Sequence, residues 1–238
     1  MSITDKLTTI AENQEKVFEA GKQAEHDRFW DNYQDNGNRK NYSYAFSRGW
    51  NNETFKPKHP IQPTEDASYM FNYANLVDFD FVEKGIFIDV SKATSVTYIF
   101  RGAKGIKRIG VFDCYASRKN INRPFYDSGI ETIDEFVFYE DSVYVYTFAD
   151  AKNLKNIICS GVIASNDLSF INCTLLSKES ITSVINCLST TTSGLSVALS
   201  LQAVNKAFET SENANDGSTS AEWTTLANSK SNWTINLS

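Results

Sequence analysis

YIFRGAKGIKRIGV, residues 98–111, holds the pattern that organises this chain. It contains a tyrosine (Tyr98), a phenylalanine two residues on (Phe100), a small residue three further (Ala103), and then Ile106, Ile109 and Val111. Outward from Phe100, phenylalanine returns at Phe46, Phe71, Phe125, Phe148 and Phe170, at gaps of 22 to 29 residues. Three residues after each comes a small side chain: Gly49, Ala74, Ala103, Ser128, Ala151 or Cys173. Tyrosine stands two residues before it at Tyr44, Tyr69, Tyr98 and Tyr146. Five or six residues after it comes Leu76, Ile106, Ile130 or Leu154, and three beyond that Phe79, Ile109, Ile133 or Ile157. Four linked positions recurring at one period mark a repeat array.

Each unit supplies one short strand of the form L-x-x-[IF]-x-[FVC]. LVDFDF (76–81), IKRIGV (106–111) and LKNIIC (154–159) fit it, and IETIDE (130–135) breaks it at the last place. One unit cannot bury its apolar side alone, so the units must stack on one another around a shared core. The phenylalanine fills the far side of that core, and the small residue after it lets the chain bend closely. FKPKHPIQP (55–63) interrupts the first unit, and its three prolines exclude regular helix or strand there.

These units resemble leucine-rich repeats of the BspA-like surface-protein type over roughly residues 44–176. The opening (MSITDKLTTIAENQEKVFEAGKQAEHDRFWDNYQDNGNR), the following YAF…GWNNETFKPK and the closing EWTTLANSKSNWTI look like small leucine-rich-repeat proteins encoded near the structural genes of phages and prophages. The expected architecture is α+β: an N-terminal helix within 1–36, a short leucine-rich-repeat solenoid with a parallel sheet over 37–176, and an αβ cap over 177–238.

The flanks support that division. Residues 3–35 carry strong helix formers, with Ile3, Leu7, Ile10, Val17, Gly21 and Ala24, and Gln14 filling the one gap, at alternating four- and three-residue steps. This stripe predicts either a short coiled coil, with Ile3, Leu7, Ile10 and Val17 as its oligomerisation seam, or a helix lying over the first unit. Beyond 177, LSKESITSVINCL reads as a helix capped by Ser177. LSVALSL is a short apolar run, QAVNKAFETSE a helix, and AEWTTLANSK a helix opened by Thr219 and Glu222 at capping-box spacing. NWTINLS reads as an edge strand.

Net charge −6 and a pI near 5.0 exclude a general electrostatic grip on nucleic acid or on an anionic membrane. The polar N-terminus has no secretory core, and no apolar run reaches membrane-span length. The chain is therefore expected to be made in the cytoplasm, without membrane insertion, and to reach any outer surface by release with a particle. Cys114, Cys159, Cys173 and Cys187 lack metal-ligand spacing and stand far in sequence from His26 and His59, so reduced, buried thiols are expected. Neither a metal nor a cofactor is expected. No phosphate loop, nucleophile elbow or zinc-protease motif occurs.

Alternation along the strands predicts an outward sheet face carrying Asp78, Asp80, Arg108, Gly110, Thr132, Asp134, Asn156 and Ile158. Asp78 and Asp80 are expected on one strand face, as solvated carboxylates rather than an acid pair. Tyr115, Tyr126, Tyr139 and Tyr144 fall outside the repeat's core positions and are candidates for recognition. The function expected from the resemblance and the polar face is a non-enzymatic virion or virion-associated protein, an accessory tail, baseplate, head-decoration or adhesion component. Its partners are other virion proteins or a host surface protein or glycan, with homo-oligomerisation through the N-terminal helix. The alternative is a cytoplasmic, prophage-encoded module that binds a host protein.

Overall fold

The computed structural model describes residues 9, 12–14, 16, 17, 20, 40–48, 50–53, 55–57, 60–209 and 220–238. Thr9, residues 12–14, Lys16, Val17 and Ala20 are helical, and Val17 is exposed. Ile3, Leu7, Ile10 and both histidines lie outside the described residues.

The strands are β1 (Phe79–Asp80), β2 (Ile106–Phe112), β3 (Ile121–Asn122), β4 (Thr132–Phe138), β5 (Tyr144–Val145), β6 (Asn156–Gly161) and β7 (Ser169–Phe170). After them come α1 (Lys178–Cys187), β8 (Leu195–Leu199), α2 (Leu201–Phe208), α3 (Ala221–Asn228) and β9 (Trp233–Leu237). This is an α+β chain in which the named strands pair in parallel: β1-β2-β4-β6, β3-β5 and β7-β8-β9.

Strand register follows the repeat from β2 onward, where Ile109 pairs with Ile133 and Ile133 with Ile157. At β1 it departs from the expected alignment. Phe79 pairs with Ile106, and the Phe81 N–H donates to the Arg108 carbonyl at 3.0 Å, which brings Phe81 opposite Ile109. Strict inward–outward alternation also fails in two strands. In β2 the buried residues are Ile106, Ile109 and Phe112, with Gly110 and Val111 both turned toward solvent. In β4 they are Ile133, Phe136 and Phe138, and the ladder shifts between the first two. Val111 is therefore 46% exposed, and Glu135, which breaks the consensus, is simply its neighbour on the next strand. Backbones approach so closely at the strand entries that a Cβ on Gly105 or Gly129 would fall within 1.8 Å of the carbonyl oxygen of Leu76 or Lys104.

Opposite the sheet, the recurring phenylalanines form one continuous stack. Successive ring centroids from Phe46 through Phe71, Phe100, Phe125 and Phe148 to Phe170 lie 5.1, 5.2, 5.4, 5.7 and 4.6 Å apart. All six are at most 1% exposed, and each contact adds about 0.5–1.5 kcal/mol beyond burial alone. Each of the first five phenylalanines sits between two left-handed residues. Tyr44, Tyr69, Tyr98, Arg123 and Tyr146, two positions before, have φ between 50° and 58°. Arg48, Tyr73, Gly102, Asp127 and Asp150, two positions after, have φ between 52° and 63°. A non-glycine residue there costs about 1–2 kcal/mol. What it permits is a second backbone ladder: Tyr98, Phe100 and Gly102 donate to the carbonyls of Asn122, Pro124 and Tyr126 at 3.0, 2.8 and 3.0 Å. Arg123, Phe125 and Asp127 then donate to Val145, Thr147 and Ala149 at 2.9, 3.2 and 3.0 Å.

The last sheet edge is closed by side chains. Helix α1, N-capped by Ser177, lies along β6. Ser180 Oγ accepts from the Ile157 N–H at 2.9 Å and donates to the Lys155 carbonyl at 3.2 Å. Ser183 Oγ accepts from the Cys159 N–H at 2.7 Å. At the other edge, the Asn52 amide pairs with both the N–H and the carbonyl of Val77, at 2.8 and 2.6 Å. Buried Lys230 donates to the Asn186 and Leu188 carbonyls at the C-terminus of α1, where a cation is favoured. Helix α3 starts one residue later than its sequence signal: Ser220 accepts from the Trp223 N–H, and Thr219 lies outside the described residues. Parallel pairing outlasts the sequence repeat, because Phe170 pairs with Leu199 and β8 with β9, which is the outer strand of its sheet.

Candidate functional site: the outward sheet face and its apolar pocket

The outward positions of the main sheet place Arg108, Thr132 and Asn156 side by side, since Arg108 pairs with Thr132 and Thr132 with Asn156. Arg108 grips Asp134 through two parallel bonds, Nε to Oδ1 at 2.8 Å and a second guanidinium nitrogen to Oδ2 at 3.1 Å. The Asp134 hydrogen bond, with the charges of Asp134 and Asp80 nearby, raises the guanidinium pKa further above its ordinary value. Ile158 is half exposed at the edge of this group.

The two aspartates of β1 do not share a strand face. Asp78 precedes the strand in a left-handed conformation (φ 46°), and the strand begins only at Phe79. Its carboxylate is 84% exposed and 3.9 Å from the Lys107 ammonium. Asp80 instead anchors a turn, accepting the N–H groups of Val82 and Glu83, each at 2.9 Å. Both functions are those of a short acidic side chain at a turn, not of an acid pair.

Beside this group runs a charge row one residue past the first consensus position: Lys107, Glu131 and Lys155. Glu131 accepts from Lys155 at 2.6 Å and faces Lys107 at 3.0 Å. Hydrogen bonds from Lys155 and then Lys107 hold its carboxyl below the usual glutamate value. The alternation down that column, lysine then glutamate then lysine across three units, is a signal the sequence itself carries.

The turn after β1 makes the feature that spacing could not reveal. Asp80 folds the chain back at Val82–Gly85, and Ile86, Phe87 and Ile88 return along the outer half of β2. Between them lies an apolar pocket of about 360 Å³, walled by Val82, Phe87, Ile109 and Val111, floored by Phe81 and Phe112, and reaching Asp134. Val82, Phe87 and Val111 are 39%, 52% and 46% exposed, which is unusual company for three large apolar side chains around one opening.

Past the strand ends, Tyr139 donates to Asp113 at 2.8 Å and packs edge-on against Tyr115, whose ring Arg118 covers at 4.2 Å. Burial pushes the Tyr139 and Tyr144 hydroxyls to higher pKa. Of the four tyrosines expected outside the core, Tyr115 is exposed, Tyr126 and Tyr139 are half-buried, and Tyr144 is fully buried, paired with Ile121. All four cysteines are free and buried, and burial raises each thiol's pKa, that of Cys173 to about 12. Among the described residues, no three His, Cys, Asp or Glu side chains converge as metal ligands, and no helix is long and apolar enough to cross a membrane.

Comparison of the chain with protein-family models, curated proteins and solved structures returned no match. The geometry therefore carries the functional argument without help from a relative. It offers a parallel sheet face with locked charge pairs and an apolar opening, an arrangement suited to recognition.

Proposed function

We propose that this chain is a non-enzymatic binding protein, virion-associated in a phage or prophage, built on a short leucine-rich-repeat-like solenoid. Its N-terminal helix attaches or oligomerises it, and its sheet face holds a partner protein. The observation that carries the binding role is the pocket of about 360 Å³ opening beside the Arg108–Asp134 pair. Protein interfaces concentrate their free energy where one apolar or aromatic side chain enters such a pocket, ringed by polar groups that fix orientation. A partner loop presenting a leucine, phenylalanine or tyrosine fits that description. The charged groups of the face support recognition over catalysis, because Arg108 is bound by Asp134, and Glu131 by Lys155 and Lys107. Groups locked as ion pairs are poorly placed to exchange protons with a substrate. The phage context is supported by the resemblance of the opening and closing segments.

Quantitative mass spectrometry of gradient-purified particles from the encoding phage or induced prophage tests the placement. A fixed ratio to the major tail or capsid protein is expected. Absence from particles with abundance in infected cells would refute the virion role and favour the second reading, a cytoplasmic module that binds one host protein. In either setting, Val111→Asp places a charge at the pocket mouth and is expected to abolish partner capture while leaving the fold intact.

A further inference from the structure

The second backbone ladder, regular from Tyr98 to Ala149, stops at its next step. The pattern calls for Tyr146, Phe148 and Asp150 to donate to the carbonyls of Asp167, Ser169 and Ile171. Among the described residues none of these bonds forms. The cause is local. Leu168 and Asn172 occupy the two positions that are left-handed in every earlier unit, and neither has positive φ. The opposite edge of β7 is already paired with β8. In the core the Phe148 and Phe170 rings still stack at 4.6 Å, so the backbones part only toward the outside.

The parting leaves a cleft of about 710 Å³, lined by those same donors and acceptors together with Arg123, Tyr126 and Asn172. That size suits a small organic ligand. Tyr146, Phe148 and Asp150, whose N–H groups lack their ladder partners, stand on one side, and Asp167, Ser169 and Ile171 of the next unit on the other. Asp150 Oδ1 accepts from the Asn172 amide at 3.1 Å and lies 3.8 Å from the Lys152 ammonium, which leaves Oδ2 open. Asp167 Oδ2 faces only Ser165 at 3.5 Å, which leaves Oδ1 open. Tyr146 is 55% exposed, with the Arg123 guanidinium 4.5 Å over one face of its ring. No ring or guanidinium among the described residues covers the other face.

We propose that this cleft is a saccharide-binding site, taking one or two uncharged sugar rings. Vicinal hydroxyls both donate and accept, which matches paired carboxylate oxygens, an amide and unpaired backbone groups on facing walls. The apolar face of a pyranose packs on the open side of a tyrosine ring. Of the charged groups that line the cleft two are carboxylates and one is a guanidinium, which disfavours phosphate and acidic sugars. The cleft shares no residue with the sheet face, so the two sites stand or fall separately.

The test uses the full chain and saturation-transfer NMR with four probes: diacetylchitobiose, lactose, maltose and inorganic phosphate. At least one disaccharide is expected to receive saturation, and phosphate none. Asp167→Ala and Tyr146→Ala are each expected to weaken that disaccharide about tenfold, since each removes one direct contact with the sugar. Val111→Asp is expected to leave it unchanged. Circular dichroism and melting temperature confirm that each variant folds, with Asp167→Asn as a milder second variant at an exposed position. No transfer to any disaccharide, binding of phosphate instead, or disaccharide binding indifferent to Asp167 and Tyr146 would each overturn the proposal.

Discussion

Replacing Ser180 by alanine tests whether α1 closes the sheet through its hydroxyls. Ser180 is 1% exposed, and its Oγ accepts the Ile157 N–H at 2.9 Å, donates to the Lys155 carbonyl at 3.2 Å and lies 3.0 Å from Ser177 Oγ. Alanine leaves a buried N–H without an acceptor, which costs about 1–3 kcal/mol. Alanine's better helix propensity returns roughly 0.5 kcal/mol. The net expectation is a loss of about 0.5–2.5 kcal/mol, which for a domain of this size lowers the melting temperature by roughly 1–10 °C. Adding Ser183→Ala orphans the Cys159 N–H as well, and the two losses are expected to add within about 0.5 kcal/mol only if the hydroxyls act independently. The double variant also bares successive N–H groups of β6, an open invitation to pair with another chain. Urea unfolding measures the first effect, and a concentration series by size-exclusion chromatography the second. If Ser180→Ala unfolds at the wild-type midpoint and the double variant stays dispersed, packing alone closes this edge and the hydrogen-bond account is wrong.

Two further expectations concern pH and the thiols. Lys155 and Lys107 depress the Glu131 pKa, so the stabilisation is full above the unfolded value near 4.5 and disappears as pH falls through the folded one. Glu131→Gln should therefore narrow the stability difference between neutral and acidic solution, a change visible in thermal melts from about pH 6 to about pH 3; an unchanged pH profile would contradict the pairing. The four buried cysteines should ignore a thiol reagent at mildly alkaline pH in the native protein and react together on denaturation, and rapid native labelling would contradict their burial.

The repeat was legible because one residue class does one job in every unit. A buried ring at the phenylalanine position needs a ring above and below it, so the column stays aromatic from Phe46 to Phe170. Ile109, Ile133 and Ile157 were legible for the same reason. Where a strand carries an extra outward residue, simple alternation misplaces the residues beyond it: the consensus turns Val111 inward, and Phe112 holds that place instead. The left-handed column two residues after each phenylalanine was readable in principle, since Gly102, Asp127 and Asp150 tolerate positive φ better than most, but Arg48 and Tyr73 obscured it. Of the candidate face, Arg108, Thr132, Asp134 and Asn156 came out adjacent. Asp78 and Asp80 did not share a strand face, because Asp78 precedes the strand in a left-handed conformation and the Asp80 carboxylate is taken up by the turn that follows. The pocket between the β1 turn and β2 depends on how a loop folds back, and the saccharide cleft on two torsion angles. Neither leaves a periodic trace.

The phenylalanine stack also has a mechanical meaning. Its units are joined side by side through hydrogen bonds between neighbours, and each unit leans on the one before and the one after. Tension drawing the first unit away from the last is carried by the boundaries in series, so the weakest gives way first. Failure proceeds by peeling, at low force and in discrete steps, each freeing the 22 to 29 residues between successive phenylalanines. At roughly 3.5 Å per extended residue, each step lengthens the chain by about 80–100 Å. A protein so constructed yields gradually under strain and keeps its remaining units folded while it does so.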